Sequence, residues 1–420
     1  MGGGYLCCRA RRGYDVPSNT VCGADQNMHF FKHLILLMAS CATFSISFAD
    51  APYVDPADDE KYFGSPEETL FWTPKQQVAG YRNADKIFFT RTIEKGDNTY
   101  ALPYERRDLG DVELTLEEQT MTVDEYFERQ AVAGLLVIKD GKIVYERYGL
   151  GNDENSTWIS YSVAKSVVSM LIGAAIKDGY IDSIDENVTT YLPRLQGSSY
   201  EQSSIEDLLQ MSSGVEWNED YADPESDIAT APWDTLQLYE FLRDKPRASE
   251  PGQTFNYNTA ETNLAGNLLR SAIGNNLSTY LAEKIWKPFG MEADATWNLT
   301  EPGGGEFGGC CINATLRDYG RLGLFALAEG RLQDGTQVLP EGWMEASTSP
   351  SDGYAGYGYF WWLKRDGSYN ASGIFGQGIY MNPDENIVIA LHSARPEASV
   401  DSDWGWQSAL YEGIAKAIAD

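Results

Sequence analysis

Apolar and polar positions first fall into a clear pattern at "AGLLVIKDGKIVYERYGL", residues 133 to 150, where two β-rich runs meet at Asp140-Gly141. A two-residue Asp-Gly connection accepts the left-handed backbone of a tight hairpin, so an antiparallel sheet is predicted to begin here. From Ser162 the period changes: Val163, Val167, Met170, Leu171, Ala174 and Ala175 recur at helical spacing until Gly179 stops the run. Helical patterns continue in "SSIEDLLQMSSG", "APWDTLQLYEFLRD", "AETNLAGNLLRSAIG" and "LSTYLAEKIWKPFG", and after "GGGEFGGCC" in "NATLRDYGRLGLFALAEG". Strand signals then return. "GYGYFWWLKRDGSYNASGIFGQGIYMNPDENIVIALHS" reads as a meander of three runs broken at Asp366-Gly367 and Asn382-Pro383-Asp384, and "QSALYEGIAKAI" as an amphipathic helix fit to cover a sheet face.

Sheet, helical block, sheet and helix in that order imply an α+β fold, an antiparallel sheet flanked by helices with a mainly helical lobe inserted. The main domain spans 121–420, with a sheet lobe over 125–158 and 305–420 and a helical lobe over 159–304. Residues 50–120, rich in Asp, Glu and Pro without a sustained period, read as an extended N-terminal arm. Residues 1–49 read as an N-terminal extension and signal peptide. Lys32 and His33 precede an apolar stretch that ends in the small-x-small pattern Ser47-Phe48-Ala49, and Met28 offers an alternative start. A periplasmic or secreted protein with no integral membrane span in the mature chain is expected; Met38-Ala39-Ser40-Cys41, a weak lipobox, would make it a lipoprotein instead.

With 420 residues and 43% hydrophobic content the chain can bury a large core. Its net charge of −30 argues against nucleic acid or an anionic membrane surface as partner. Only Cys310, Cys311 and His392 remain of the cysteines and histidines beyond residue 49. That excludes a disulfide framework, a CxxC zinc site and a histidine-rich metal site, and no cofactor is called for. The cysteine pair reads as packing at a helix start, and His392, on the run "IVIALHS", as a structural strand residue.

"ISYSVAKSVVSM", residues 159 to 170, holds the one S-x-x-K of the chain. At a helix start Ser162 and Lys165 share a face, one turn apart, so the amine can reach the hydroxyl. A serine hydroxyl needs such a base to become a nucleophile, burial disfavours the ammonium form, and the helix N-terminus favours a developing oxyanion. The plain alternative is a polar cap on an ordinary buried helix.

The blocks "LLVIKDGKIVYERY", "SYSVAKSVVSMLIG", "IEDLLQMSSGVEWNEDY", "GQTFNYNTAETNLAG" and "EFGGCCINATLRDYGRLG" stand in an order that resembles the serine β-lactamase and penicillin-binding-protein superfamily. The resemblance covers roughly residues 125 to 420 and is to the class C-like branch of esterases and 6-aminohexanoate-dimer hydrolases. It implies Tyr257 of "FNYNTAETNLAG" as a phenol that relays protons, depressed in pKa by a neighbouring ammonium, with Thr259 at the third position of that motif as a substrate contact. It implies an oxyanion hole from the N–H groups of Ser162 and Ile374 if Ala371-Ser372-Gly373 stands where true β-lactamases carry K-T-G; an alternative register centres on Phe375-Gly376-Gln377. Tyr221 matches a tyrosine that closes over the substrate nitrogen, and Trp361 or Trp362 is expected to wall the pocket, with Trp361 taken as the substrate-facing one. The implied function is an exported serine hydrolase that cuts an ester or a linear or cyclic amide through an acyl-enzyme. Lacking the K-T-G lysine that grips a penicillin carboxylate, it is expected to favour esters and simple amides over penicillins. The alternatives are a β-lactamase or D,D-peptidase and a non-catalytic cell-wall-binding protein; oligomeric state is not legible.

Overall fold

A six-stranded antiparallel sheet is the frame on which everything else is hung. Its strands are β1 (Val132–Lys139), β2 (Lys142–Tyr148), β3 (Trp362–Leu363), β4 (Tyr369–Ser372), β5 (Gly378–Asn382) and β6 (Ile387–Ser393), in the spatial order β2-β1-β6-β5-β4-β3. The computed structural model describes residues 52–419, so the leader expected over 1–49 lies outside the described residues. The β1–β2 hairpin turns at Asp140 and Gly141, whose φ values of 50° and 73° are the paired left-handed angles that the sequence signal calls for.

Period-2 alternation sends side chains of β1 and β6 into two separate cores. Leu135, Val137, Ile389 and Leu391 pack with Leu410, Ile414 and Ile418 of the C-terminal helix. Leu136, Ile138, Val388 and Ala390 face the opposite side, with Val167, Leu171, Tyr319 and Leu322. Three long helices cover the sheet, α1 (Val163–Lys177), α3 (Leu316–Leu327) and α4 (Asp401–Ile418), while α2 (Thr259–Ile273) packs against α1. Both faces being buried, a one-residue slip would exchange two full sets of apolar contacts, each side chain worth about 1.5–3 kcal/mol. The α+β architecture read from the sequence is the observed one, with the segment between β2 and β3 mainly helical.

Two features differ from expectation. Residues 56–122 are not an extended arm: they form short helices, including Pro74–Tyr81, the strand Thr90–Ile93 and the hairpin Glu113–Leu116 with Gln119–Thr122. The elements are too short for a period to emerge, and tertiary anchors hold them instead. Trp72 and Tyr81 are buried, and the buried Arg82 guanidinium makes a two-pronged pair with Asp59 at 2.7 and 2.8 Å. Thr90–Ile93 also joins a second antiparallel sheet, in the order Thr90–Ile93, Ala295–Asn298, Ile312–Thr315, Thr157–Ile159, assembled from well-separated regions of the chain. This sheet matters because its edge strand Thr157–Ile159 runs directly into Ser160-Tyr161-Ser162. Among the described residues, no helix is long and apolar enough to cross a membrane.

Candidate active site

Ser162 sits at the junction of the second sheet and α1, delivered there by a strained turn. Tyr161, a non-glycine residue, holds φ at 44°, a left-handed conformation that costs roughly 1–3 kcal/mol and persists only where packing over-determines it. The packing is on hand: the Tyr161 ring lies edge-on to Tyr81 at 5.3 Å and to Phe375 at 5.0 Å, and its hydroxyl shares a 3.0 Å hydrogen bond with Thr69. The N-terminal segment therefore buttresses the turn that presents Ser162. On the other side Gly373 passes so close that a Cβ there would stand 2.5 Å from the Ser160 carbonyl oxygen, which brings the end of β4 beside the Ser162 turn. Among the described residues neither the Ser162 N–H nor the Ile374 N–H donates to a protein acceptor. Both amides are thus uncommitted, as the donors of an oxyanion hole must be.

Lys165 is 1% exposed, and its Nζ has three neighbours: Ser162 Oγ at 3.0 Å, Thr259 Oγ1 at 3.1 Å and the Gly309 carbonyl oxygen at 2.8 Å. Burial lowers its pKa to about 8, against the opposing pull of the Glu219 carboxylate. The polarity of this cluster follows from what each atom can do. Gly309 O only accepts, and Thr259 Oγ1 donates its one proton to Glu219 Oε1, so it too accepts from the lysine. A neutral amine has two N–H groups for these two acceptors, and its lone pair is then left for the Ser162 hydroxyl.

Glu219 organises the other side of the cluster. Its carboxylate accepts from Thr259 Oγ1, from the Thr259 N–H at 3.0 Å, from the Tyr221 hydroxyl at 2.6 Å and from the Trp217 indole. Tyr257 faces the same centre, its ring centroid 5.4 Å from Lys165 Nζ and stacked on Trp362 at 5.6 Å. Here the structure corrects the sequence reading. Burial first, and the Glu219 charge second, push the Tyr257 phenol above its usual pKa, with its hydrogen bond to Ser162 opposing them. Tyr257 is thus a held proton, not a resting phenolate, and Lys165 is the group suited to be the base.

A cavity of about 640 Å³ opens beside this cluster, its lining including Glu219, Tyr221, Tyr257, Trp362, Lys364 and Ile374. Helix α4 contributes Trp404, Gln407, Ser408 and Tyr411, one helical face at intervals of three and four, so it walls the cavity as well as covering the sheet.

The family described as Beta-lactamase matches residues 120–411. The chain belongs to the beta-lactamase family. It is a serine hydrolase of that superfamily, and it is 27% identical over 321 positions to the 6-aminohexanoate-dimer hydrolase of Paenarthrobacter ureafaciens, covering 70% of this chain and 81% of the relative. Its fold matches a structure from Bacillus anthracis provisionally described as a 6-aminohexanoate-dimer hydrolase, with a TM-score of 0.73 at 23% identity over 82% of this chain and 94% of that one. The class C beta lactamase of Rhodobacter sphaeroides matches with a TM-score of 0.51 at 17% identity, over 70% and 97%.

Within this beta-lactamase-family chain, Ser162, Lys165 and Tyr257 come together as the sequence suggests, while two expected substrate contacts do not. Trp361 is 2% exposed, lies edge-on to Tyr369 at 5.4 Å and points into the core; Trp362 is the wall of the cavity. The positive φ of Phe360, 61°, and the pairing of Trp362 with Asn370 fix which of the two adjacent indoles faces out. Thr259 does not line the cavity either: its hydroxyl is spent between Lys165 and Glu219. Tyr221 does line it, with its hydroxyl proton given to Glu219. His392 is buried against Trp158 and Tyr319 and its pKa falls to about 3, so it is a neutral core residue as expected. Cys310 and Cys311 are bonded to each other just after Gly309, ahead of the strand Ile312–Thr315 rather than at a helix start.

Sequence reasoning missed Glu219, although it stands two residues before Tyr221 in "VEWNEDY". Its charge raises the Lys165 pKa, so Glu219→Gln removes the influence that opposes desolvation. The lysine then loses its proton at lower pH, and the alkaline rise of kcat/KM shifts from near 8 toward the acid side. A pH–rate profile of the variant decides this: lower activity with an unmoved limb would make Glu219 a structural strut only.

Proposed function

We propose that the protein cleaves an ester or a linear or cyclic amide through an acyl-enzyme on Ser162, in the manner of 6-aminohexanoate-dimer hydrolases and related esterases. The observation that carries this reading is the buried Lys165 amine, 3.0 Å from Ser162 Oγ with both of its remaining bonds assigned to Thr259 and Gly309. Neutral Lys165 takes the Ser162 proton as Oγ adds to the carbonyl carbon. The N–H groups of Ser162 and Ile374 hold the oxyanion. As the carbon–nitrogen or carbon–oxygen bond breaks, the proton on Lys165 passes by way of the Tyr257 hydroxyl to the leaving atom. Water then enters by the reverse route and releases the acid.

Tyr221 supplies the test that separates amides from esters. Because its proton goes to Glu219, the phenol oxygen presents lone pairs to the cavity and suits an amide N–H as acceptor. An ester oxygen has nothing to donate. Tyr221→Phe is expected to lower kcat/KM for an amide such as the linear 6-aminohexanoate dimer by about 10- to 100-fold, a lost buried hydrogen bond, and to leave 4-nitrophenyl butyrate within about threefold. Equal losses on both substrates would mean that the loop, rather than the hydrogen bond, had been disturbed.

A further inference from the structure

We infer that Arg395 is a positioning residue of the oxyanion hole, a buried guanidinium held behind the β4–β5 turn whose charge favours the anion that forms at the Ile374 N–H. This rests on the Ser162 acyl-enzyme reading, in which that N–H receives the carbonyl oxygen.

The turn from Gly373 to Gln377 is closed by the Gly376 N–H, which donates to the Gly373 carbonyl at 2.9 Å. That carbonyl shares one planar trans peptide with the Ile374 N–H, so fixing one end aims the other the opposite way. The next two carbonyls are held by the segment that follows β6: Ile374 O accepts from the Ser399 N–H and Phe375 O from the Arg395 N–H, each at 3.1 Å. Gly376 takes a φ of 93°, a conformation open to glycine, and Arg395 lies against its bare face. A Cβ there would stand 2.7 Å from Arg395 Nε and 3.0 Å from its Cδ. Arg395 therefore meets the turn twice, through its backbone and through its side chain.

The charge on that side chain is uncompensated. Arg395 is 2% exposed, yet among the described residues no carboxylate lies within ion-pairing reach of it. Its Nη2 donates to the Tyr126 hydroxyl at 3.0 Å, its guanidinium carbon lies 5.4 Å from the centre of the Trp404 ring, and its Nε has no acceptor among the described residues. Asp403, beside Trp404 in the chain, accepts from Gln130 Nε2 instead. Burying a cation without an ionic partner is costly, and a neutral side chain could pack on Trp404 without that cost. Trp404 lines the cavity, so the guanidinium sits behind the cavity wall on one side and against the oxyanion turn on the other. In such dry surroundings a charge acts over a longer range than it does in water. A net charge of −30 opposes any anion in the site, and a local cation offsets it there. The carbonyl of a bound ester is neutral and the tetrahedral intermediate is not, so the benefit falls on kcat rather than on KM.

The test compares Arg395→Gln, Arg395→Met and Arg395→Lys in the full-length protein, each checked by a thermal melt. All three keep the backbone N–H that holds Phe375 O, so the neutral pair removes charge and leaves that anchor. Removing a direct oxyanion donor costs about 10²–10³ in kcat, and a charge acting through the turn is expected to contribute about tenfold. With 4-nitrophenyl butyrate the neutral variants are therefore expected to lose about tenfold in kcat with KM within about threefold, and Arg395→Lys to keep most of the rate. Butylboronic acid, which forms a tetrahedral anion on a reactive serine, is expected to inhibit the neutral variants about tenfold more weakly, an effect that loosened packing at the substrate site alone would not match to kcat. An unchanged kcat, a loss confined to KM, an unmoved boronate affinity, an Arg395→Lys as poor as Arg395→Gln, or failure of both neutral variants to fold overturns the inference. Wild-type protein that neither hydrolyses the ester nor binds the boronate defeats the Ser162 reading and the inference together; an active wild type with unaffected neutral variants defeats the role of Arg395 alone.

Discussion

Ser162→Ala is expected to lower kcat by about four orders of magnitude or more on every substrate that the protein turns over, while the folded state survives. The size follows from removing the covalent step: among the described residues the one other hydroxyl bonded to the Lys165 amine is that of Thr259, at 3.1 Å, whose proton is committed to Glu219. The mild effect on folding follows from the same geometry. Ser162 precedes α1 without making a side-chain cap hydrogen bond, so the helix loses no cap when the hydroxyl goes. Steady-state kinetics together with a thermal melt check both halves. A folded variant that retains a tenth of wild-type activity would remove Ser162 from the centre of the chemistry, and an unfolded one would contradict the expected retention of the fold.

Lys165→Ala and Tyr257→Phe are each expected to reduce kcat by about 10²–10⁴-fold, and the double variant to be little worse than the poorer single. The reason for non-additivity is that one proton uses both groups: Lys165 takes it from Ser162, and Tyr257 passes it to the leaving atom. In the wild-type protein kcat/KM should rise with pH through about 8, because the amine must be neutral to act as base and its pKa has been lowered to that value by burial. The phenol stays protonated across that window, since burial and Glu219 drive its pKa upward. The rise should vanish in Lys165→Ala. Strictly multiplicative losses, or a rate that falls through pH 8, would separate the two residues from a common relay.

Signals that are local in sequence were legible. The Asp140-Gly141 hairpin, the α1 run after Ser162 and the two-sided strands β1 and β6 declare themselves because turn chemistry and period are properties of neighbouring residues. Ser162 and Lys165 were legible for the same reason, lying one turn apart on one helix. What the sequence hid was built from distance. Glu219 is joined to Lys165 by hydrogen bonds through Thr259, forty positions away, and nothing in "VEWNEDY" marks one acid among several. The second sheet draws three- and four-residue strands, too short to show alternation, from well-separated regions of the chain. The N-terminal segment is held by Trp72, Tyr81 and the Arg82–Asp59 pair, and it supports Tyr161 across about ninety residues of chain. Trp361 and Trp362 are adjacent, so parity alone decides between core and cavity, and parity is set by the backbone at Phe360.

The central claim is that Ser162 carries the acyl group. Peptide mapping by mass spectrometry after reaction with a fluorophosphonate puts that to the most direct test: a single adduct on Ser162 is expected, formed faster as pH rises through about 8 and lost in Ser162→Ala. An adduct on another residue, or none while esters are still being hydrolysed, would contradict it.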